Sequence, residues 1–161
     1  ITVCNAGSYS TSAVAQQVFA YILNHYNAVN KYNSLVQDGG WQNSKTFSLL
    51  CYPTDELQNK TIGIIGYGSI GKRVAEIALA FEMRVLVYTR TPKTDSRVKF
   101  VTLDELLKSS DIVTPHCPLN TESDGMFNKQ TFAKMKDGAF FINTARGGLV
   151  NETEKRNMEV S

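Results

Sequence analysis

A membrane-spanning helix needs about 20 consecutive apolar residues, and no run in this sequence approaches that length. Charge of one sign is equally scarce. Seventeen Lys and Arg against 15 Asp and Glu leave a net charge of +2, which gives no electrostatic footprint for nucleic acid. Cysteine is sparse: Cys4, Cys51 and Cys117 are odd in number and irregularly spaced. That pattern fits neither a disulfide framework nor a zinc site, and predicts a reducing, cytoplasmic setting. No basic stretch followed by an apolar one opens the chain, so no secretory signal is expected there. The chain starts at Ile1 rather than Met, as a processed or partial polypeptide would. Internal repeats and low-complexity tracts are absent too. What remains is a globular balance, with 161 residues, 42% of them apolar and 20% charged, enough for one domain with a real core.

Along the chain, residues 1–10 read as an extended lead containing Gly7. Val14, Val18, Tyr21, Ile22 and Val29 then recur at helical spacing, predicting a helix to about Asn33, capped at its start by Ser10 or Thr11. Residues 35–58 look irregular and carry Gly39-Gly40, Trp41, Phe47, Leu49, Leu50, Tyr52 and Pro53. A loop this long is usually functional or interfacial. Its apolar side chains either pack on their own domain or are covered by a partner.

From Thr61 the pattern alternates between strand and helix. Strands are predicted at 61–65, 83–89, 99–102, 111–115 and 139–144. A helix after Ser69 presents Ile70, Val74, Ile77, Ala78 and Phe81 on one face, Thr102-x-x-Glu105 forms a capping box ahead of Leu106 and Leu107, and a helix covers 128–136 before Asp137-Gly138. Near-continuous apolar strands alternating with helices predict a doubly wound parallel sheet, an α/β fold with helices on both faces.

The first of these strands runs straight into Gly66-Tyr67-Gly68-Ser69-Ile70-Gly71. G-x-G-x-x-G is weak alone and gains meaning between a strand and a helix. Gly66 then makes the tight turn, Gly68 lets backbone approach a pyrophosphate, and Gly71 lets the helix pack close. The first turn, with Ser69 and Ile70, offers free N–H groups to the anion. The bland alternative is a glycine turn without a ligand. About 20 residues on, an acid usually holds the ribose 2′-OH. Here Thr89 stands there, followed by Arg90 and then Lys93. This set tolerates a 2′-phosphate, so the expected cofactor is NAD or NADP, with NADP slightly favoured. Arg90 as a mere solvated charge is the competing reading.

Three stretches in order, "YSTSAVAQQVFA", "GIIGYGSIGKRVAEIALAF" and "VTPHCPLNTESDGMFNKQTFAKMKDGAFFINTARGGLVNE", resemble the D-isomer-specific 2-hydroxyacid dehydrogenases over roughly residues 1–152. The opening stretch and the W-x-x-S loop look most like the glycerate dehydrogenase (hydroxypyruvate reductase) branch. The resemblance implies a dinucleotide-binding domain, residues 61–161, preceded by a helix and dimerisation arm in residues 1–60, with most of a substrate domain absent. It implies that the arm wraps a second subunit in a homodimer. It carries the family's catalytic arginine onto Arg146 in "NTARG", where a guanidinium can pair with a 2-oxo-acid carboxylate and polarise its carbonyl. It places His116, Cys117 and Pro118 beside the nicotinamide, with Thr144 and Ala145 also on the cofactor. The family's catalytic Glu and His have no counterpart here, so the 161 residues alone are expected to be inactive. His25 is expected to be structural. After "LVNE" the tail "TEKRNMEVS" departs from the family's amphipathic pattern, as a truncated or altered frame would.

The implied reaction is hydride transfer between NAD(P) and a small D-2-hydroxy acid or 2-oxo acid, with glycerate, hydroxypyruvate or glyoxylate foremost. The alternatives are a dinucleotide-sensing module without turnover, like the family's corepressor relatives, and another enzyme on a similar fold such as an S-adenosyl-homocysteine hydrolase. The N-T-A-R-G motif argues against the last. Neither nucleic acid, membrane nor metal is an expected partner.

Overall fold

Thr61–Ile65 (β1) is buried at every position, as a central strand covered on both faces must be. It pairs in parallel with Arg84–Tyr88 (β2) on one side and Ile112–Pro115 (β4) on the other. Lys99–Phe100 (β3) adds to β2 and Phe140–Phe141 (β5) to β4. The order β3-β2-β1-β4-β5 reverses direction between β1 and β4, which opens a crevice at their carboxyl ends. This arrangement is a computed structural model that describes residue 2, residues 7–91 and residues 93–151. Cys4, most of the extended lead and the divergent tail lie outside the described residues.

Each face of the sheet has its own core. On one, Ala15, Val18, Phe19 and Ile22 of Thr11–Asn27 (α1) pack with Val74, Ala75 and Ala78 of Ser69–Ala80 (α3), over Ile62, Ile64, Val85 and Val87. On the other, Leu106 and Leu107 of Leu103–Ser109 (α4) join Ile65, Val113, Phe127 and Leu149. α1 therefore shares a core with the sheet. Among the described residues no helix is long and apolar enough to cross a membrane.

Several local expectations are corrected. The predicted helix to Asn33 breaks at Ala28, a buried residue with φ 49° and ψ 35°, and resumes as Val29–Gln37 (α2). Left-handed backbone is costly for alanine, so burial, not local propensity, holds this bend. Ser10 does precede α1, but in helical geometry and without a side-chain cap, while Thr11 N donates to Ser8 O at 3.1 Å. Val74 and Ala78 of the expected α3 face are buried, but the face is turned about them: Gly71 and Ala75 are buried too, Ile70 and Ile77 only partly, and Phe81 is 39% exposed. The predicted 128–136 helix keeps α-geometry only over Lys129–Phe132 (α5), capped by Asn128. It then tightens into i→i+3 turns, Lys134 N to Thr131 O and Met135 N to Phe132 O. The fifth strand is shorter than 139–144, and β2 and β3 are trimmed as well. Thr102 does cap α4, accepting from Glu105 N at 3.2 Å, but Glu105 turns its carboxylate to Lys99 rather than completing the box.

The 35–58 segment divides. Tyr52 packs at home, with its ring edge-on to Tyr32 and its carbonyl accepting from Tyr32 Oη at 3.0 Å. Trp41, Phe47 and Leu50 remain 55%, 101% and 84% exposed.

Candidate functional site

The three motif glycines have separate physical duties. Gly66 sits at φ +96°, and a Cβ on it would lie 2.7 Å from His116 O. A Cβ on Gly71 would lie 2.1 Å from Gly66 O, so this position admits helix against turn only without a side chain. Gly68 differs: its φ is −83°, and a Cβ there would meet nothing within 4 Å. The space over Gly68 is open, as the approach of a ligand to backbone requires. Lys72 N to Gly68 O, 2.9 Å, is the first helical bond of α3, leaving the N–H groups of Ser69, Ile70 and Gly71 without a helical acceptor.

Tyr67, between the first two glycines, anchors this turn. Its side chain is buried, packs edge-on against Phe100 with centroids 5.4 Å apart, and donates from Oη to Asp95 Oδ2 at 2.9 Å. Burial first, and then Asp95, push its phenol up to about 12. Asp95 is gripped by Arg97, Nε to Oδ1 at 3.0 Å and Nη2 to Oδ2 at 2.8 Å, which holds its carboxyl far below the usual range. Lys93 Nζ donates to Tyr67 O at 3.0 Å. The loop after β2 is thus fastened to the glycine turn by Lys93 and by Tyr67, Asp95 and Arg97, the last three of which the sequence pattern alone does not single out.

The crevice at the switch point is a cleft of about 280 Å³. Of the residues expected on the cofactor, it brings together Gly66, Gly68, Thr89, Arg90, His116, Cys117 and Pro118. Ser69, Ile70 and Gly71 form the helix turn behind Gly68. Thr144, Ala145 and Arg146 do not line the cleft; they lie in the turn after β5. Glu122, Asn120 and Ser123, which no motif points to, line the cleft as well. Arg90 forms an ion pair with Glu122.

His116 is half-buried at the edge of the cleft, with Nε2 3.1 Å from Thr114 Oγ1. Burial lowers its pKa to about 4, so the ring is neutral at pH 7 and does not hold a proton to give. Burial pushes the Cys117 thiol up, against the opposing pull of a backbone hydrogen bond and of Arg90. Cys51 and Cys117 are both free thiols. His25 stacks on Phe140 at 4.2 Å and lies edge-on to Tyr26 at 5.0 Å, in keeping with a packing role.

Arg146 is exposed, and its guanidinium donates only to Ala145 O, at 2.8 Å; no carboxylate pairs with it among the described residues. Asn143 shapes the turn beneath it. Asn143 Oδ1 accepts from Ala145 N at 3.0 Å, and Nδ2 donates to Arg146 O at 2.8 Å. Thr144 Oγ1 is buried without a partner. Among the described residues no group of His, Cys, Asp and Glu could hold a metal ion.

A nicotinamide dinucleotide fits these residues. The open space over Gly68 and the unpaired first N–H groups of α3 suit a pyrophosphate, and Thr89 and Arg90 line the same cleft just past the end of β2. Comparison with known proteins agrees. Residues 19–154 match the family described as D-isomer specific 2-hydroxyacid dehydrogenase, NAD binding domain. A hydroxypyruvate reductase of Blautia hydrogenotrophica is 40% identical over 96% of this chain and 49% of its own length. A glycerate dehydrogenase of Methylorubrum extorquens is 38% identical over 94% of this chain and 47% of its own length. The crystal structure of an Aquifex aeolicus D-lactate dehydrogenase complexed with NAD and lactic acid superposes with a TM-score of 0.80. It is 36% identical, over 92% of this chain and 44% of that one. The chain spans about half the length of the curated relatives it matches. It belongs to the D-isomer-specific 2-hydroxyacid dehydrogenases, and what it contributes is their NAD-binding domain.

Proposed function

We propose that this chain is the dinucleotide-binding part of an enzyme that moves hydride between NAD(P) and a small D-2-hydroxy acid or 2-oxo acid, with glycerate and hydroxypyruvate, or glyoxylate, as the favoured pair. The observation that carries the reading is the open crevice between β1 and β4, where Gly68 leaves room and α3 begins with unpaired N–H groups. The names of the relatives support the substrate class. The dinucleotide supplies or accepts the hydride. The residues proposed to hold it are Gly66, Gly68, Ser69, Ile70 and Gly71 at the pyrophosphate, Thr89 and Arg90 at the ribose, and His116, Cys117, Pro118, Thr144 and Ala145 toward the nicotinamide.

Arg146 is proposed as the catalytic residue. Its guanidinium has no competing carboxylate among the described residues, so it is free to take a substrate carboxylate through two parallel N–H bonds and to draw electron density from the adjacent carbonyl. Neither histidine of the chain is placed to protonate that carbonyl: His116 is neutral and His25 is stacked in a packing contact. That favours, as a second reading, a module that binds dinucleotide without turnover by these 161 residues alone.

NADP(H) is proposed to bind at least as well as NAD(H), because Thr89 stands where an acid would repel a 2′-phosphate, and Arg90 and Lys93 lie nearby. A homodimer is proposed through the arm within residues 1–60, on the exposure of Trp41, Phe47 and Leu50. A cytoplasmic setting is proposed on the free thiols of Cys51 and Cys117.

Isothermal calorimetry of the chain with NADH and NADPH tests the binding reading. Binding of at least one of them, lost in a folded Gly68→Val variant, supports it; unchanged affinity in that variant overturns it. Loss of absorbance of NADH or NADPH in the presence of hydroxypyruvate separates the two functional readings.

A further inference from the structure

The end of β2 carries no acid, yet the cleft is not without one. Glu122 arrives from the loop after β4, 32 residues further along, and its carboxylate pairs with the Arg90 guanidinium. Both residues line the same cleft. The Glu122 backbone is fixed rather than adventitious. Asn120 Oδ1 accepts from both Glu122 N and Ser123 N at 3.0 Å. The buried Ser123 hydroxyl closes the same turn, accepting from Asn120 N at 2.9 Å and donating to Pro118 O at 2.8 Å.

We propose that Glu122 is a specificity-determining residue of this cleft. It supplies from the β4 wall the acid missing at the end of β2, and it restrains the preference for NADP that Arg90 would otherwise impose. The inference rests on the cleft being the dinucleotide site.

The chemistry follows from what each cofactor presents. A ribose 2′-OH can donate to Glu122 while the Arg90–Glu122 pair stays closed. A 2′-phosphate brings up to two negative charges and must draw Arg90 away from Glu122, leaving a carboxylate beside it. The Arg90 and Glu122 side chains are 65% and 68% exposed, and exposed pairs of this kind hold weakly, so a phosphate can open this one. The pair therefore acts as a balance and not as a barrier. Lys93 also lines the cleft, its ammonium donating to the Tyr67 carbonyl at 3.0 Å, and its charge is the same in every variant compared.

The test is calorimetry of the 161-residue chain with NADH and with NADPH, on wild type, Glu122→Gln, Arg90→Gln and the double variant. Glu122→Gln is expected to shift the ratio of dissociation constants toward NADPH by about 3- to 10-fold, mostly through tighter NADPH. The shift shrinks as salt is raised, because the charges are solvent-exposed. Arg90→Gln is expected to move the ratio the other way. In the double variant, the part of the Glu122→Gln effect that passes through the ion pair is lost and the direct part, the carboxylate facing a 2′-OH or a 2′-phosphate, remains, so the shift caused by Glu122→Gln should be smaller than in the wild-type background and keep its sign. Asp104→Asn, an equally exposed acid paired with Lys134 outside the cleft, should leave the ratio within about twofold. If wild type binds both cofactors and Glu122→Gln leaves the ratio unchanged, the role of Glu122 is overturned while the site stands. If wild type binds neither, the cleft reading falls and this inference with it.

Discussion

At the amino end of β1, the Thr61 amide donates to Asp111 Oδ2 at 2.8 Å, and Lys136 Nζ meets Asp111 Oδ1 at 2.5 Å. The Asp111 backbone ties the neighbouring strands, its N–H donating to Thr61 O and its carbonyl accepting from Phe140 N, each at 2.8 Å. Beside it Lys60 pairs with Asp55 at 2.5 Å and lies 5.0 Å over the Tyr26 ring. At the carboxyl end of the same strands polar groups are left without protein partners: the first N–H groups of α3 have no helical acceptor, beside the open space over Gly68, and the Thr144 hydroxyl is buried unpaired. One end of the sheet satisfies its polar groups internally and so contributes stability. The other leaves them for a ligand, which is how a parallel sheet separates a structural end from a binding end.

That contrast can be broken most forcefully inside the glycine turn. Gly71→Val places a side chain against Gly66 O, where even a Cβ would sit 2.1 Å away. Backbone cannot yield as a flexible side chain can, so urea denaturation should show a loss of about 3 kcal/mol or more, and fold and binding should fail together. Gly68→Val, three residues earlier, should leave the urea midpoint nearly unchanged and weaken dinucleotide binding about 100-fold or more, roughly 2.7 kcal/mol. If both variants behaved alike, the division of labour between the glycines would be wrong.

Acid sharpens the comparison, because the two ends titrate in different windows. His116, at the binding end, has its pKa lowered to about 4 by burial, so the unfolded chain binds its proton first as pH falls below about 6.5. The stability it contributes is complete above that pH and is lost progressively down to its folded pKa. At pH 5 the loss should be about 2 kcal/mol, and it should be absent in His116→Gln. At the structural end, burial alone would raise Asp111, but Lys136, the Thr61 amide and Lys60 outweigh it and hold the carboxyl below its ordinary range. Its contribution persists above about pH 4 and is lost only as pH falls further, through the folded pKa. Urea midpoints measured from pH 7 to 3 on wild type, His116→Gln and Asp111→Ala separate the windows.

The smallest effect belongs to Asp111→Ala at pH 7. It strands the Thr61 amide and should cost about 1–2 kcal/mol of stability, while NADH and NADPH affinities stay within about twofold. A matching loss of affinity would mean that the two ends are coupled through β1.

Much of the binding end is legible in the order of the amino acids. The alternation from Thr61 onward implies the parallel sheet, because burial on both faces demands near-continuous apolar strands, and "TIGII" is buried throughout. The glycine duties can be read as well, since spacing, φ and packing at a strand–turn–helix are set within a few consecutive residues. Helix ends are less legible: the bend at Ala28 has no glycine to announce it, and α5 begins on its Asn128 cap but tightens out of α-geometry after Phe132. Trp41, Phe47 and Leu50 are recognisable as a problem of burial, and the fold leaves them exposed.

By itself, then, the sequence determined what is local: the strands and their order of appearance, the turn at Gly66, the cap at Thr102, and the arginine that follows β5. Tertiary structure decided what depends on residues far apart in the chain. Thr61 and Asp111 are 50 positions apart, and Arg90 and Glu122 are 32 apart. No periodicity records such pairings, because each exists only once the sheet has formed and its loops have been brought face to face. The low pKa of His116 has the same origin: a ring beside an open cleft becomes a neutral one only when packing takes water away from it.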